Sequence, residues 1–497
     1  MKSWLIYKDV APDSAESATV ETESAADFST PSILPQGNGG AALASFELNA
    51  WGLDGTYEPI KQAAYWSKAL SDENGEFSAP PTVTILFDAQ FTSAGITIQF
   101  QPHDYCTDIT VSWYRNGNLL RTQDYQPDSD SYFCDGFVSN YDEIRMTFRK
   151  TALPYRSVKL SSVLFGLYRR FEADEARNIS IVNETNLISA SAPSSSMQWM
   201  LDSKSDVEYL FQFKQPIEAH NGDSLLGVYY VSKSVKTGKR LYNLTCQDAF
   251  GVLETIPFSG KKYDNQSAKA LLAELIGNRF PLYITANDRT LSGLLMPGTL
   301  RDAVQQLLFA WGVCAATDAT DGIRVFPLKE EESEIPTNRV FESSLATNAA
   351  VTKVNVTGHA YTQDASGSVE LNGVKYADAQ TVFTVINPLV TPSDIENVVE
   401  VTNATMVSPL TGQRTAKGIY NYYKDRNVTT SKIVWDGEKL GDRVIVPDAW
   451  GGTQAGHVER MDIKLSNTVV ATCTVRQTRI SEGNYFAGDV FAGEVTA

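Results

Sequence analysis

Residues 109–120 read Ile109-Thr110-Val111-Ser112-Trp113-Tyr114-Arg115-Asn116-Gly117-Asn118-Leu119-Leu120. Ile109, Val111 and Trp113 alternate with Thr110 and Ser112, so an extended chain puts the apolar side chains on one face. Asn-Gly then supplies a pair that tolerates positive φ at both central positions of a type I′ turn, and Leu119 and Leu120 open the return strand. The stretch is a β-hairpin with one buried face. The same period of two recurs at Ile96, Ile98 and Phe100, and again at Ile144, Met146 and Phe148. Residues 82–170 are therefore expected to form an antiparallel β-sandwich.

Two helices stand out against the strands. In residues 267–277, Ser267 is a cap, Ala268, Leu271, Leu272, Leu275 and Ile276 share a face, and Gly277 ends the segment. In residues 299–312, Thr299 and Asp302 form an acidic capping box ahead of Leu300, Val304, Leu307, Leu308 and Trp311, and Gly312 ends it. With strands expected at Leu282-Tyr283-Ile284-Thr285-Ala286 and over 322–328, residues 260–330 read as a small α/β unit. A third helix is expected over 415–426, with Ile419, Tyr422 and Tyr423 on one side. The fold class is mainly β and multidomain, and 497 residues is enough for about three or four domains.

Composition removes several function classes. The chain has 42 basic and 59 acidic residues, a formal charge of −17, which argues against nucleic acid or anionic lipid as the main binding surface. Hydrophobic residues at 42% exclude wholesale disorder, and no apolar run is long enough for a membrane span. The apolar patch near the N-terminus lacks the following segment of a signal peptide. No lysine or arginine occurs from Asp9 to Ile60, and residues 1–44 read as an acidic lead-in, extended or ordered by a partner. Glu330, Glu331, Glu332 and Glu334 before Pro336 read as a solvated linker, with a domain boundary near residue 335.

No catalytic or metal constellation emerges. Cys106, Cys134, Cys246, Cys314 and Cys473 form no CxxC pair and are read as buried apolar residues, a Cys106–Cys134 bridge being left open. His103, His220, His359 and His457 stand far from one another and from any cysteine at ligand spacing. Asp128, Asp130 and Asp135 do not match a calcium loop, and the glycines near residue 37 lack the strand and Lys-Ser/Thr of a phosphate loop. Gly222-Asp223-Ser224-Leu225 has the letters of the nucleophile block of GDSL lipases and esterases. That family's DxxH pair is missing, however, and His220 has no orienting carboxylate set by the sequence, so a polar turn is the expected reading. No catalytic residue, cofactor or metal is assigned.

Longer strings resemble a family. SFELNAWGLDG (45–55), the segment from Ala63 to Phe100, the segments Ile256–Ile276 and Leu291–Leu328, and the segment from Gly418 to Arg476 resemble, in order, baseplate or tail-tip hub proteins of long-tailed phages and prophages of Gram-positive bacteria. The resemblance implies a structural protein of the virion tail tip, made in the bacterial cytoplasm: a homo-oligomeric ring, usually of three copies, closing the tail tube around a channel. Its implied partners are the distal tail protein, the tape-measure protein and tip or fibre proteins, with no membrane anchor and no sequence-specific nucleic acid binding. The lysin domain of some family members is not expected after the last hub-like strand. If acidic residues line the channel, they repel DNA phosphates and let the genome pass. Residues 109–120 and 158–168 also resemble a discoidin-like sandwich, a fold whose members often bind sugars through loops; that resemblance makes Tyr105, Tyr132 and Phe133 candidate glycan contacts. The resulting division is 1–44 lead-in, 45–81 with 171–260 first hub β-domain, 82–170 inserted sandwich, 261–335 α/β domain, and 336–497 second hub β-domain with a helical insert. The alternative function is a carbohydrate-binding adhesin acting through the sandwich.

Overall fold

The computed structural model describes residues 3–11, 13–35, 45, 47, 63–102, 104–204, 211–329, 331–388, 390, 395–424, 427–447, 451–465 and 468–476. The glycine-rich stretch near residue 37, His103 and most of the 45–55 string lie outside them. The chain divides into two compact units, Ile6–Arg170 and Met1–Leu5 with Phe171–Ala497.

The smaller unit is built on two long strands, Thr82–Phe100 and Ser131–Thr151. Their pairing changes register between Leu86 and Gly95, so the first half of one strand meets the second half of the other and the pair bends through both faces. One face adds Cys106–Arg115 and Asn118–Tyr125; the other adds Lys159–Leu164 and Tyr65–Trp66. Ile85, Ile96, Ile98, Val111, Trp113, Ile144 and Phe148 are fully buried between them. The bend needs Gly95, which has φ +146° and whose Cα lies where a Cβ would sit 2.2 Å from the Cys134 carbonyl oxygen. The Asn116-Gly117 turn has positive φ at both residues and pairs Arg115 with Asn118, as the hairpin reading requires.

The acidic lead-in corrects the expectation of an extended or partner-ordered segment. Ala18–Glu21 is a strand pairing with Thr84–Phe87, and Leu34 is buried in the sandwich core. Ala18 and Val20 pack inward while Thr19 and Glu21 face out. The period of two is short, and acids on its outward row hid it in a composition-level reading.

In the larger unit a single antiparallel path joins Val340–Thr347, Asn427–Val434, Val470–Arg476, Thr453–Lys464, Ala176–Glu184, Ser196–Asp202, Leu241–Gln247, Ser224–Lys236 and Pro216–Asn221. The seam is Ser180 opposite Lys464 through Glu184 opposite Arg460. Strands assigned by sequence to two hub β-domains therefore share one sheet. The glutamate-rich segment is a further correction: Glu332–Glu334 pairs in parallel with Arg443–Ile445, and Glu332 forms an ion pair with Arg443. Its side chains are exposed, as the charge run implied, yet its backbone is part of the sheet.

Both predicted helices form with their predicted ends. Ala268–Ile276 is capped by Ser267 and followed by Gly277, and Leu300–Trp311 carries the Thr299–Asp302 capping box and is followed by Gly312. Leu282–Ile284 and Ile323–Phe326 pair in parallel, with Cys314–Ala316 beside the latter. The third helix is Gly412–Tyr423. It packs Ala416 and Ile419 into the same core as the other two helices and as Val354 and Val356 of a four-stranded sheet. That sheet runs Val369–Leu371, Val374–Ile386, Lys353–Gln363 and Val398–Val401.

All five cysteines are free and buried, so the Cys106–Cys134 bridge is not formed. Burial pushes every thiol up, Cys246 and Cys314 to about 12, while Cys106, Cys134 and Cys473 rise further. Thiolate is the reactive form, so the native chain is expected to resist iodoacetamide at neutral pH and to label fully once unfolded. Labelling of one cysteine in the folded chain, read by mass spectrometry, would show that its surroundings open.

Candidate functional site

An edge strand exposes a row of backbone N–H and C=O groups, and proteins that leave one uncovered and apolar invite another chain to pair with it. Two such edges stand out among the described residues of the larger unit. Val374–Ile386 pairs with Lys353–Gln363 from Tyr376 to Ile386, but on its other side only Val374–Tyr376 has a partner among the described residues, Val369–Leu371. From Ala377 to Ile386 that side meets no strand among the described residues. The sequence places residues of opposite character on the two faces here. Phe383 and Val385 turn inward onto the helical core, while Val382 (62% exposed) and Ile386 (66%) stand outward beside Thr384. β-Branched residues on an outward row favour strand structure but give up nothing to this chain's own core.

The second open edge is Val340–Thr347, the terminal strand of the large sheet, which among the described residues pairs only with Asn427–Val434. A register shift between Val340 and Glu342 brings out Phe341, 59% exposed. The two edges differ in sequence and in the sheets they end. Distinct surfaces of this kind permit a head-to-tail contact between copies, the geometry that generates rings.

The sandwich residues singled out from the sequence are distributed rather than gathered. Tyr132 and Phe133 are consecutive on one strand, so the alternation of the chain sends them to opposite faces. Tyr132 is half-buried with its ring edge-on to Tyr125 at 6.4 Å, and the Tyr125 hydroxyl donates to the Asp135 carbonyl at 2.7 Å. Tyr105 also packs against the sandwich core, from the segment leading into Cys106–Arg115. Phe133 lies on the outward row with Asp135 and with Phe137, 67% exposed. Phe137 was not singled out, although its even spacing from Phe133 is the signal that would have found it.

Ser224 is exposed in the turn between Pro216–Asn221 and its partner strand, opposite Asn221. His220 Nε2 is 3.1 Å from Glu218 Oε2 and its ring stacks on Trp4, so it is engaged away from Ser224. Among the described residues no group of three or more His, Cys, Asp or Glu is arranged to hold a metal.

Beneath the surface of the smaller unit lies a closed set of charges that the sequence did not signal. Lys159, fully buried, bonds Glu47 and lies 2.9 Å from Asp104 Oδ2. Arg156 bridges the same carboxylates, at 3.3 Å to Glu47 and 3.4 Å to Asp104. The Lys159 ammonium also sits 5.0 Å from the Trp66 ring centroid. Two cations and two carboxylates cancel within one water-poor site, an arrangement suited to fixing segments far apart in sequence rather than to chemistry.

No family model matches the chain, and no curated protein matches it. Among solved structures it is similar to the 43 kDa tail protein of prophage MuSo2 from Shewanella oneidensis, at 11% identity and a TM-score of 0.43, covering 62% of this chain and 96% of that one. A tail protein from Neisseria meningitidis MC58 matches at 11% identity and 0.46, over 61% and 97% of the two chains. Prophage tail protein gp18 from Listeria monocytogenes EGD-e matches at 12% identity and 0.41, over 63% and 92%.

Proposed function

We propose that this chain is a structural component of a phage tail tip or tail-like particle, a hub whose copies join into a ring, with three copies as the expected number. The observation that carries the reading is the pair of unlike open strand edges, Ala377–Ile386 and Val340–Thr347, each with an exposed apolar side chain. Pairing one edge with the other on a neighbouring copy satisfies both rows of backbone groups and removes Val382, Ile386 and Phe341 from water. The sequence strings that resemble tail-tip hubs support the same reading. In this role the ring surrounds the tail channel and carries the distal tail, tape-measure and tip or fibre proteins at its two faces.

The test is the molar mass of the purified chain by light scattering across a concentration series. The wild-type chain is expected to form a closed oligomer, and the triple variant Phe341→Lys, Val382→Lys, Ile386→Lys to remain a monomer, because lysines on an edge repel a second strand. A variant that assembles as the wild type does would remove the edges from the interface.

One observation favours a second role for the sandwich. The outward row holding Phe133 and Phe137 offers aromatic faces of the kind on which sugar rings stack. A glycan array probed with the full chain and with Phe133→Ala tests it; loss of a specific signal in the variant supports glycan contact at this row, and retention excludes it. Tyr105 and Tyr132 are the remaining proposed contacts of this reading.

A further inference from the structure

The larger unit contains a cleft of about 810 Å³ whose lining runs against the character of the whole chain. The protein carries a formal charge of −17, yet among the described residues no acidic side chain lines this cleft, while Arg289, Arg414, Lys424, Lys329 and Arg443 all do. Lys329 and Arg443 are answered from outside the lining by Asp442 and Glu332. Among the described residues the charged groups of Arg289, Arg414 and Lys424 have no carboxylate partner; the Arg289 guanidinium donates to the Trp311 carbonyl, at 3.1 Å.

Like charges are not drawn together without a reason. Partial burial, and then the neighbouring charge of Arg289, hold the Arg414 guanidinium below its ordinary value. At the other wall Arg443 is only 7% exposed, and its Nε is buried with no hydrogen-bond partner. Beside it His457 is kept from adding charge: burial holds its imidazole below the ordinary value, and its Nε2 lies 2.7 Å from the Lys329 carbonyl oxygen. The floor is apolar, formed by Leu187, Phe309 and Ile419.

We propose that this cleft is a binding site for a small multivalent oxyanion, a phosphate-class ligand held by Arg289, Arg414 and Lys424, with Arg443 adding its charge from the wall. Guanidinium forks match the paired oxygens of such a group, and an ammonium adds a point charge without demanding a direction. The size of the cleft and its apolar floor leave room for an organic body attached to the anion. The inference goes beyond the hub reading and does not depend on it: the site is formed by one copy, whether or not copies assemble.

The probe is inorganic pyrophosphate, titrated calorimetrically into the full chain at low and at high salt. The wild-type chain is expected to bind it with an affinity that falls as salt rises, and Arg414→Gln, an exposed helix position whose loss should not disturb the fold, to bind about tenfold more weakly or worse. Arg301→Gln, outside the cleft, serves as the control and should bind as the wild type does. Absence of binding by the folded wild-type chain would overturn the proposal, as would equal affinity in Arg414→Gln. So would binding of a glutamate-rich peptide without binding of pyrophosphate, since that would make the cleft a protein-docking groove.

Discussion

Lys159→Met is expected to lower the unfolding free energy of the smaller unit by about 3–5 kcal/mol, the range found when one partner of a buried ion pair is removed. Methionine fills much of the same volume, so the loss comes from charge and not from a cavity. Without the ammonium, Glu47 and Asp104 face a single cation, Arg156, in a site from which water is excluded. The effect has a pH signature. Burial raises the Glu47 carboxyl, but the Lys159 charge and hydrogen bond and the Ser157 backbone N–H outweigh it, so the group titrates below its ordinary value. A carboxylate with a depressed folded pKa contributes stability above its unfolded value, and that stability is lost as pH falls through the folded one. The wild-type unit should therefore weaken only as the medium becomes more acidic than the usual carboxylate range. In the variant burial acts unopposed by lysine, and stability should instead rise as pH is lowered from neutral toward that range. Urea midpoints at several pH values read both; identical pH profiles for the two proteins would show that the charges are not coupled.

The second large effect is expected at the bend of the sandwich. Gly95→Ala should cost about 2–6 kcal/mol, the sum of a strained backbone at φ +146° and a steric clash. The added Cβ would lie 2.2 Å from the Cys134 carbonyl oxygen and 3.1 Å from the Gly136 nitrogen. Both are backbone atoms of the paired strand, so no side chain can swing aside. Relief would require the two long strands to separate where they pass from one face to the other, next to buried Ile96 and Ile98. Loss of the near-ultraviolet signal of Trp113, with a lower urea midpoint, is the expected readout. A variant as stable as the wild type would mean that the bend can form elsewhere along the strands.

Local chemistry was legible in the sequence where it is capped or periodic over a long enough stretch. The Asn116-Gly117 hairpin, the Ser267 cap, the Thr299–Asp302 box and the apolar stripe ending at Trp311 all depend on residues within a few positions of one another. What escaped depends on partners far along the chain. Nothing near Ala176–Glu184 announces that it will pair with Thr453–Lys464, and the acidic character of Glu332–Glu334 masked a backbone that joins a sheet through Arg443–Ile445. The same holds for the sites. Lys159 and Glu47 are more than a hundred positions apart, and Arg289, Arg414 and Arg443 come from separate elements that only the helical core brings around one cleft. Val382 and Ile386 look in the sequence like any strand alternation, and only topology shows that their strand lacks a neighbour.

The route of the large sheet also sets an order of events during synthesis. The seven-stranded sheet of the smaller unit takes all its strands from residues 18–164, so it can close once that part of the chain has emerged. Ala176–Glu184 must wait for Thr453–Lys464, and Val470–Arg476, made later still, lies inside the sheet between Asn427–Val434 and Thr453–Lys464. Closing so distant a contact is slow because the intervening chain must surrender its freedom first. While the ribosome is still at work, the edges of Ala176–Glu184 and Asn427–Val434 are both uncovered, which makes the nascent larger unit the aggregation-prone stage in the life of this protein and a natural client for chaperones.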